Sequence, residues 1–592
     1  MQDIENFEFI DRMSDSDALM WSIEKDPLLR STIVTVSTFE GSLDHDRVRH
    51  QVDFMSRAIP RLRQRVRANP LSIAPPRWEF DPYFDLAYHL RFVTVSEGAT
   101  LHDVLSMAEP IGMQGFDRAR PLWEFTVVDG LADGTSAVII KIHHSITDGV
   151  GGMKLQLALF NLSPDDPTPE LPDAPEIHVL SQPERVADAV SHESRRSAGM
   201  FADWAKRGLG GVLGVLTDPV GALADAEELS GSVVRMIKPA SPMSPLITER
   251  SLSVRFDTLQ FPLAQAKGAA KVSGGRLNDA FIGGLALGLR RYHEAHARNV
   301  GALRMNMPIN IRNQTIGNQA GNAFIPARVE VPLHPDDPAE IMKKVRTAVL
   351  SARDEPANDL MELLSNGLNR LPTSMTSSLF GAMLKGNDFT ASNVPGAPIP
   401  IYLVGQRMLS QYAFGPNAGS AMNFTLVSYA DECFIGANID PVAVPDPDVL
   451  MLCVQKGFDE RVLALMAHNI DVPLALSNLA ARAQVSAAHV HITRHLAPGG
   501  SRLTDLAASA GMTKQAMGDL VDQCEAWGLV TRQPDPLDAR ARRIHFTATG
   551  LAWLQAFKDA VSQAEAEFRA EVGNEVAAVV MIGLEAYAGP AA

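Results

Sequence analysis

Thr32-Ile-Val-Thr-Val-Ser-Thr-Phe39 is β-branched with partial alternation, which predicts a strand. The spacing from Leu43 to Ile59 predicts a helix, and Phe125 to Val128 a second strand. Ala137-Val-Ile-Ile-Lys-Ile142 is nearly continuous and β-branched, the mark of a buried strand. After a polar break the pattern turns helical from Met153 to Phe160. Ser251 to Phe256 reads as a strand again. Gly275-Arg-Leu-Asn-Asp279 then opens a strongly apolar helix, Ala280 to Tyr292. Near the start, Met13-Ser-Asp-Ser-Asp-Ala-Leu-Met-Trp21 has the polar opening of a helix. Alternating strand and helix signals of this kind predict an α/β protein.

Two stretches break the rhythm. Residues 163–248 are rich in Pro and Asp, then loosely helical from Arg195 to Lys238, with several glycines that weaken helix formation. That segment either packs between two halves or rests on a lipid surface. Past Val472 the pattern becomes two short helices, Gly499 to Gly511 and Met512 to Gly528, the second opened by Thr513 and stopped by Gly528. A hairpin follows, Leu529 to Arg532 and Arg542 to Thr547, around a turn at Pro534 to Asp538. Two helices across a glycine turn, then a hairpin, make a helix-turn-helix pattern.

Composition narrows this picture little. The chain has 592 residues, 46% hydrophobic and 21% charged, enough for several domains with large cores. Its net charge of −16 argues against polyanion binding by the whole chain, though not by a local basic patch. The cluster Arg57, Arg61, Arg63, Arg65 and Arg67 is either such a patch, facing substrate phosphates, or a solvated face. Three cysteines, Cys433, Cys453 and Cys524, are too few and too scattered for a disulfide framework or zinc site, and a reducing cytoplasm is expected. The N-terminus lacks a signal-peptide pattern, and no apolar run reaches the roughly 18 residues of a membrane span. The expectation is a soluble or peripheral protein.

The candidate chemistry sits where the buried strand ends. There His143, His144, Ser145, Ile146, Thr147, Asp148 and Gly149 follow one another, so a rigid strand hands two imidazoles to a loop. Asp148 could accept from a ring N–H or pair with a distant Arg, and Gly149 allows positive φ. A structural histidine and a metal ligand are the competing readings. The metal reading has no HExxH and no second ligand cluster behind it, so no metal is expected.

The pattern His143-His-x-x-x-Asp-Gly149 resembles the signature of the acyl-CoA-dependent acyltransferase and condensation-domain superfamily. Phe84-Asp-Leu-x-x-His89 and Asp117-Arg-x-x-Pro-Leu-Trp-Glu124 precede it. In that order they resemble the bacterial wax ester synthase/acyl-CoA:diacylglycerol acyltransferase family, with Pro121, Leu122, Trp123 and Glu124 separating it from peptide-forming relatives. Asn278 and Asp279, Leu303 to Arg312, Gly321-Asn322, Ala391 to Gly396 and Asn423 to Tyr429 extend the resemblance over about residues 10–455. It implies two chloramphenicol-acetyltransferase-like α/β subdomains with a tunnel between them. The domain reading is 1–165, a linker 166–249, then 250–470, then a mainly α winged helix at 471–592.

The resemblance implies transfer of a fatty acyl group from acyl-CoA, a substrate rather than a cofactor, to diacylglycerol or a long-chain alcohol. His144 is then the general base, because imidazole titrates near neutrality. His143 shapes the loop with a secondary substrate contact, and Asp148 anchors it. Asn278 and Asp279 orient the loop from the other half or polarise the thioester carbonyl. No covalent acyl-enzyme is expected, since Ser145 is poorly placed and no Gly-x-Ser-x-Gly elbow occurs.

At the C-terminal end, Leu503-x-x-Leu-Ala507, Gly528-Leu-Val530, Asp535-Pro-Leu-Asp-Ala-Arg540 and Phe546-Thr-x-x-Gly550 resemble a MarR-type winged helix. That implies base contacts from Thr513, Lys514 and Gln515, and phosphate contacts from Arg540, Arg542 and Arg543. It also implies a homodimer through helices after Leu551. Carboxylates balance the charge of this module, so DNA binding and a purely dimerising role both stay open. The alternative for the whole chain is an acyl-CoA- or lipid-responsive transcription regulator with an inactive acyltransferase fold. The acyltransferase reading also allows contact with a membrane or lipid droplet.

Overall fold

A computed structural model of the protein describes residues 11–68, 74–146, 155–195 without 157, and 241–310 without 273. It further describes 324–353 without 335 and 336, 381–468 without 382 and 383, and 496–552 without 497–499, 510–512, 536 and 537. The expected helix Met153–Phe160 lies partly outside these residues, and the connector Arg195–Lys238 almost wholly. The chain divides into two compact units, Met1–Val462 and Leu463–Ala592.

In the first unit the elements run α1 (Asp15–Ile23), β1 (Thr32–Phe39), α2 (His45–Ala58), β2 (Gln64–Arg67), β3 (Arg77–Phe80), α3 (Leu86–His89) and β4 (Leu90–Thr94). Then come α4 (Leu101–Met113), β5 (Trp123–Asp129) and β6 (Ser136–His143). The second half holds β7 (Arg255–Pro262), α5 (Leu263–Val272), α6 (Leu277–Ala295), β8 (Ala302–Asn310), β9 (Phe324–Pro332), α7 (Pro338–Arg353) and β10 (Phe389–Pro395). It continues with β11 (Tyr402–Leu403), β12 (Gln406–Phe414), β13 (Met422–Tyr429), β14 (Glu432–Ile439) and α8 (Pro447–His468). The cap expected near Met13 is Ser14, whose hydroxyl accepts from the Asp17 amide at the start of α1.

Two mixed six-stranded sheets carry these elements, in the orders β11-β12-β1-β6-β5-β4 and β7-β14-β13-β10-β8-β9. Each lays one face on its own apolar core. The halves are not contiguous in sequence. Strand β12, from the second half of the chain, pairs antiparallel with β1 and completes the first sheet. Ser410 to Phe414 are buried at every position, which suits an interior strand rather than an edge. Phe414 stacks on Phe256 of β7 with ring centroids 4.1 Å apart, so β12 also ties the two sheets together.

Two expectations need correction here. The strand placed at Ser251–Phe256 begins only at Arg255, because Asp440 takes both the amide and the hydroxyl of Ser251 and holds the preceding residues out of the ladder. The arginine cluster faces neither phosphates nor solvent as a group. Arg57 and Arg63 pair with Asp53, and Arg65 with Glu79 and Asp81. Arg67 also reaches Glu79, and Arg61 is buried with its guanidinium 4.2 Å from the Trp78 ring centroid. Burial pushes the Arg61 guanidinium down to about 9.

The second unit holds β15 (Ser501–Arg502), α9 (Leu503–Ser509), α10 (Lys514–Ala526), β16 (Val530–Asp535) and β17 (Asp538–Phe546). Its sheet runs β15-β17-β16 beside a small core that includes Leu506, Met517, Val521, Cys524 and Ile544. The expected hairpin is longer than its apolar residues suggested, since pairing continues to Asp535 opposite Asp538. The helices expected after Leu551 lie outside the described residues beyond 552.

Candidate active site

Strand β6 is antiparallel to β1 on one side and β5 on the other, and it ends at His143 opposite Thr32. A short 3-10 turn, His144–Ile146, follows at once. The two imidazoles therefore differ in surroundings although they are adjacent in the chain. His143 is almost wholly buried, under the edges of Trp21 and Phe116. His144 is half-buried. Asp148 and Gly149 lie outside the described residues.

Both nitrogens of His143 are occupied. Nδ1 lies 3.1 Å from the Ser145 backbone nitrogen and 2.7 Å from Ser145 Oγ. A backbone N–H can only donate, so Nδ1 is an acceptor and the ring proton sits on Nε2. Nε2 lies 2.8 Å from Glu24 Oε1, just past the end of α1. His143 is thus a neutral imidazole with its tautomer fixed, and the expected secondary substrate contact has no ring nitrogen left to make it.

Glu24 was not among the residues expected from sequence. Its Oε1 also accepts from the Ser31 amide at 2.7 Å, and Arg118 stands 3.5 Å from Oε2. Arg118 in turn lies over the Trp21 ring. Burial pushes the Glu24 carboxyl up, but the hydrogen bonds from His143 and the Ser31 amide and the charge of Arg118 outweigh it and hold the group below the usual carboxylate range. The one sequence signal was an acid one turn after Trp21, in a helix otherwise turned toward the core. Nothing local named a partner 119 residues away.

Leu122, Trp123 and Glu124 support β6 rather than open toward a ligand. The Leu122 carbonyl accepts from the His143 amide at 3.0 Å. Trp123 is fully buried, stacks on His89 and donates Nε1–H to the Leu62 carbonyl. Glu124 stands opposite Lys141 in the β5–β6 register and pairs with it and with Arg91. Lys141 was also missed, although a lysine inside an apolar strand run is a legible signal for a buried ion pair. Pro121 stands two residues before β5.

Asn278 and Asp279 stand in the first turn of α6. Asp279 Oδ2 accepts from the Arg276 amide at 2.7 Å and caps α6, while Asn278 Nδ2 lies 3.9 Å from Met307 Sδ. These contacts stay within the second half. Burial pushes the Asp279 carboxyl up, against the Arg276 amide and the charges of Arg346 and Arg276. No group of three metal-ligating side chains occurs among the described residues, and no described helix is long and apolar enough to cross a membrane.

In the second unit Thr513, Lys514 and Gln515 are all exposed at the start of α10. Arg542 is exposed on β17. Arg543, another of the expected phosphate contacts, is half-buried on the same strand. It is held 3.3 Å from Asp535, a buried carboxylate that also takes Arg502 at 2.8 Å. Arg540 has its backbone in β17, and its side chain lies outside the described residues.

Comparison with known proteins gives these geometries a family. The wax ester synthase/diacylglycerol acyltransferase catalytic domain matches residues 13–281, the C-terminal domain of the same family residues 318–461, and the MarR family residues 483–541. A Mycobacterium tuberculosis protein provisionally named a diacylglycerol O-acyltransferase is 36% identical over 456 residues, covering 77% of this chain and 92% of its own. A second protein of that organism and name is 27% identical over 483 residues, covering 77% and 98%. Among solved structures, the wax ester synthase/diacylglycerol acyltransferase from Marinobacter aquaeolei is similar in fold, with a TM-score of 0.51 at 20% identity, over 77% of this chain and 99% of that one. With its histidine pair at the end of β6 and its two mixed sheets, this chain belongs to the wax ester synthase/diacylglycerol acyltransferase family of acyltransferase enzymes and carries a MarR-family domain behind it.

Proposed function

We propose that the protein transfers a fatty acyl group from acyl-CoA to the hydroxyl of diacylglycerol or a long-chain alcohol, with His144 as general base. The observation that carries this reading is the contrast between the two histidines. His143 is buried and hydrogen-bonded through both nitrogens, whereas His144 is half-buried on the turn beside it. His144 takes the proton of the acceptor hydroxyl as its oxygen attacks the thioester carbonyl. The C–S bond breaks, and the imidazolium returns the proton to the leaving thiolate. A thiol pKa near 8.5 makes that leaving group a good one. A positioned base of this kind is worth about 10²–10⁴ in rate. The reading also holds that no acyl-enzyme forms. Ser145 is buried with its hydroxyl on His143 Nδ1, which favours direct transfer.

The test measures coenzyme A release by the full chain from palmitoyl-CoA, with hexadecanol or a diacylglycerol as acceptor, beside His144→Ala. Release that requires an acceptor and vanishes in the variant is expected. Full activity in His144→Ala would remove this mechanism. For the C-terminal domain we propose DNA binding through the start of α10. The exposure of Thr513, Lys514, Gln515 and Arg542 supports it. Dimerisation through the residues after 552 and contact with a lipid surface belong to the same proposal.

A further inference from the structure

Glu24 stands at the meeting point of three backbone positions that decide where His144 sits. Its Oε1 holds the Nε2–H of His143, the residue before His144, at 2.8 Å. The other nitrogen of that ring holds the amide of Ser145, the residue after His144, at 3.1 Å. The same Oε1 accepts from the Ser31 amide at 2.7 Å, and the Ser31 carbonyl accepts from the amide of His144 itself at 2.8 Å. One carboxylate oxygen therefore reaches the preceding side chain, the following amide and, through one residue of β-strand entry, the amide of His144.

The chemistry of each partner requires this acceptor. The Ser145 N–H obliges His143 to carry its proton on Nε2. A buried Nε2–H needs an acceptor, and leaving one without costs about 1–3 kcal/mol. Were the acceptor withdrawn, the ring would recover its partner only by turning about χ2 or moving its proton to Nδ1. Either movement releases the Ser145 amide and with it the turn that carries His144.

We propose that Glu24 is a positioning residue for the acyl transfer. It acts on the His144 turn through the His143 ring and the Ser31 peptide, by the placement of Oε1 rather than by its charge. The inference rests on His144 being the base, as proposed above. Glu24 lies behind His143, and no contact between it and substrate is invoked. A misplacement of about 1 Å at a reacting group costs on the order of 10²-fold in rate, and loss of an outer-shell partner commonly costs 10–100-fold where it has been measured at metal sites.

Two conservative variants separate placement from charge. Glu24→Asp keeps the carboxylate but withdraws its oxygens by one methylene, so it cannot hold both Ser31 and His143. Glu24→Gln loses the charge, but its amide oxygen can accept from both. The readouts are kcat and KM for palmitoyl-CoA and acceptor, with the thermal midpoint of each variant, beside wild type and His144→Ala. The expected result is a kcat lower by about 10–100-fold in Glu24→Asp, with KM within about threefold and a midpoint near wild type. Glu24→Gln should retain most of kcat. Wild-type kcat in Glu24→Asp overturns the proposal, and so does a loss in Glu24→Gln as large as that in Glu24→Asp. A loss that appears only in KM, or only alongside a large fall in midpoint, also overturns it. An active His144→Ala would instead sink the mechanism on which it rests, so the two failures are distinct.

Discussion

Replacing Glu124 by Leu should destabilise the protein far more than replacing Lys141 by Met, although both changes break the same ion pair. The Lys141 side chain on β6 is about 1% exposed, with its ammonium 3.4 Å from Glu124 and 4.4 Å from the Phe116 ring centroid. Burial pushes its pKa down, and Glu124 is the first of the groups that oppose burial. Taking Glu124 away leaves a cation in apolar surroundings, a change that costs about 3–5 kcal/mol when a buried pair is broken this way. Taking Lys141 away removes the charge that is expensive to bury. Glu124 is 14% exposed and keeps Arg91 at 2.5 Å, and the methionine chain can cover Phe116. The cation–π interaction and the pair disappear, offset by the desolvation no longer required, so about 1 kcal/mol or less is expected. The double variant should lie close to Lys141→Met, a coupling that a double-mutant cycle reads directly. Urea unfolding followed by tryptophan fluorescence and circular dichroism measures the series, together with kcat/KM per folded molecule. Because Glu124 supports β6 and is given no substrate contact, the folded fraction of Glu124→Leu should keep its KM. Equal destabilisation by the two single changes would refute the reasoning.

Three further outcomes can be checked. Gly288→Ala would bring a Cβ to 2.5 Å from Val454 Cα where α6 crosses α8, and should cost about 1–3 kcal/mol or more in the same urea series, whereas an unchanged midpoint would contradict that packing. His296 donates from Nδ1 to the Tyr292 carbonyl and from Nε2 to Asp446, so the backbone bond first, and Asp446 with it, raise its pKa against a smaller effect of burial. Stability from a raised histidine is complete below its unfolded value near 6.5 and is lost as pH rises through the folded value; the gap between wild type and His296→Gln should therefore shrink at alkaline pH, and a gap that grows would oppose the assignment. For the proposed DNA binding, Lys514→Ala and Arg542→Ala should each lower the salt slope of binding by about 0.9 for every phosphate the wild-type side chain neutralises. Arg543→Ala, whose guanidinium is held by Asp535, should leave that slope unchanged while lowering the thermal midpoint; a change in slope as large as that of Arg542→Ala would count against the difference drawn between them.

Local pattern alone located some of the elements, β1, α2, β5, β6 and α6 among them. Thr32–Phe39 is a strand over the expected span, β6 ends at the expected histidine, and Asp279 caps the opening of α6. These are cases where the side-chain period and a cap act within a few residues, so the information is local. The linear motif also singled out His143 and His144, and the order of motifs carried the family. The alternation of polar and apolar positions could not tell the two histidines apart, because their difference lies in partners. Glu24 reaches His143 across 119 residues, and Ser251 is held off its strand by Asp440 across 189. The place of β12 in the first sheet is likewise a choice among strands that all read alike in sequence. The arginine cluster looked like a cationic surface because its carboxylates, Asp53, Glu79 and Asp81, are dispersed along the chain. Sequence determined which residues can form strands, caps and a base. Tertiary structure decided which imidazole is closed in and which charges cancel, because burial and pairing depend on groups that only the fold brings together.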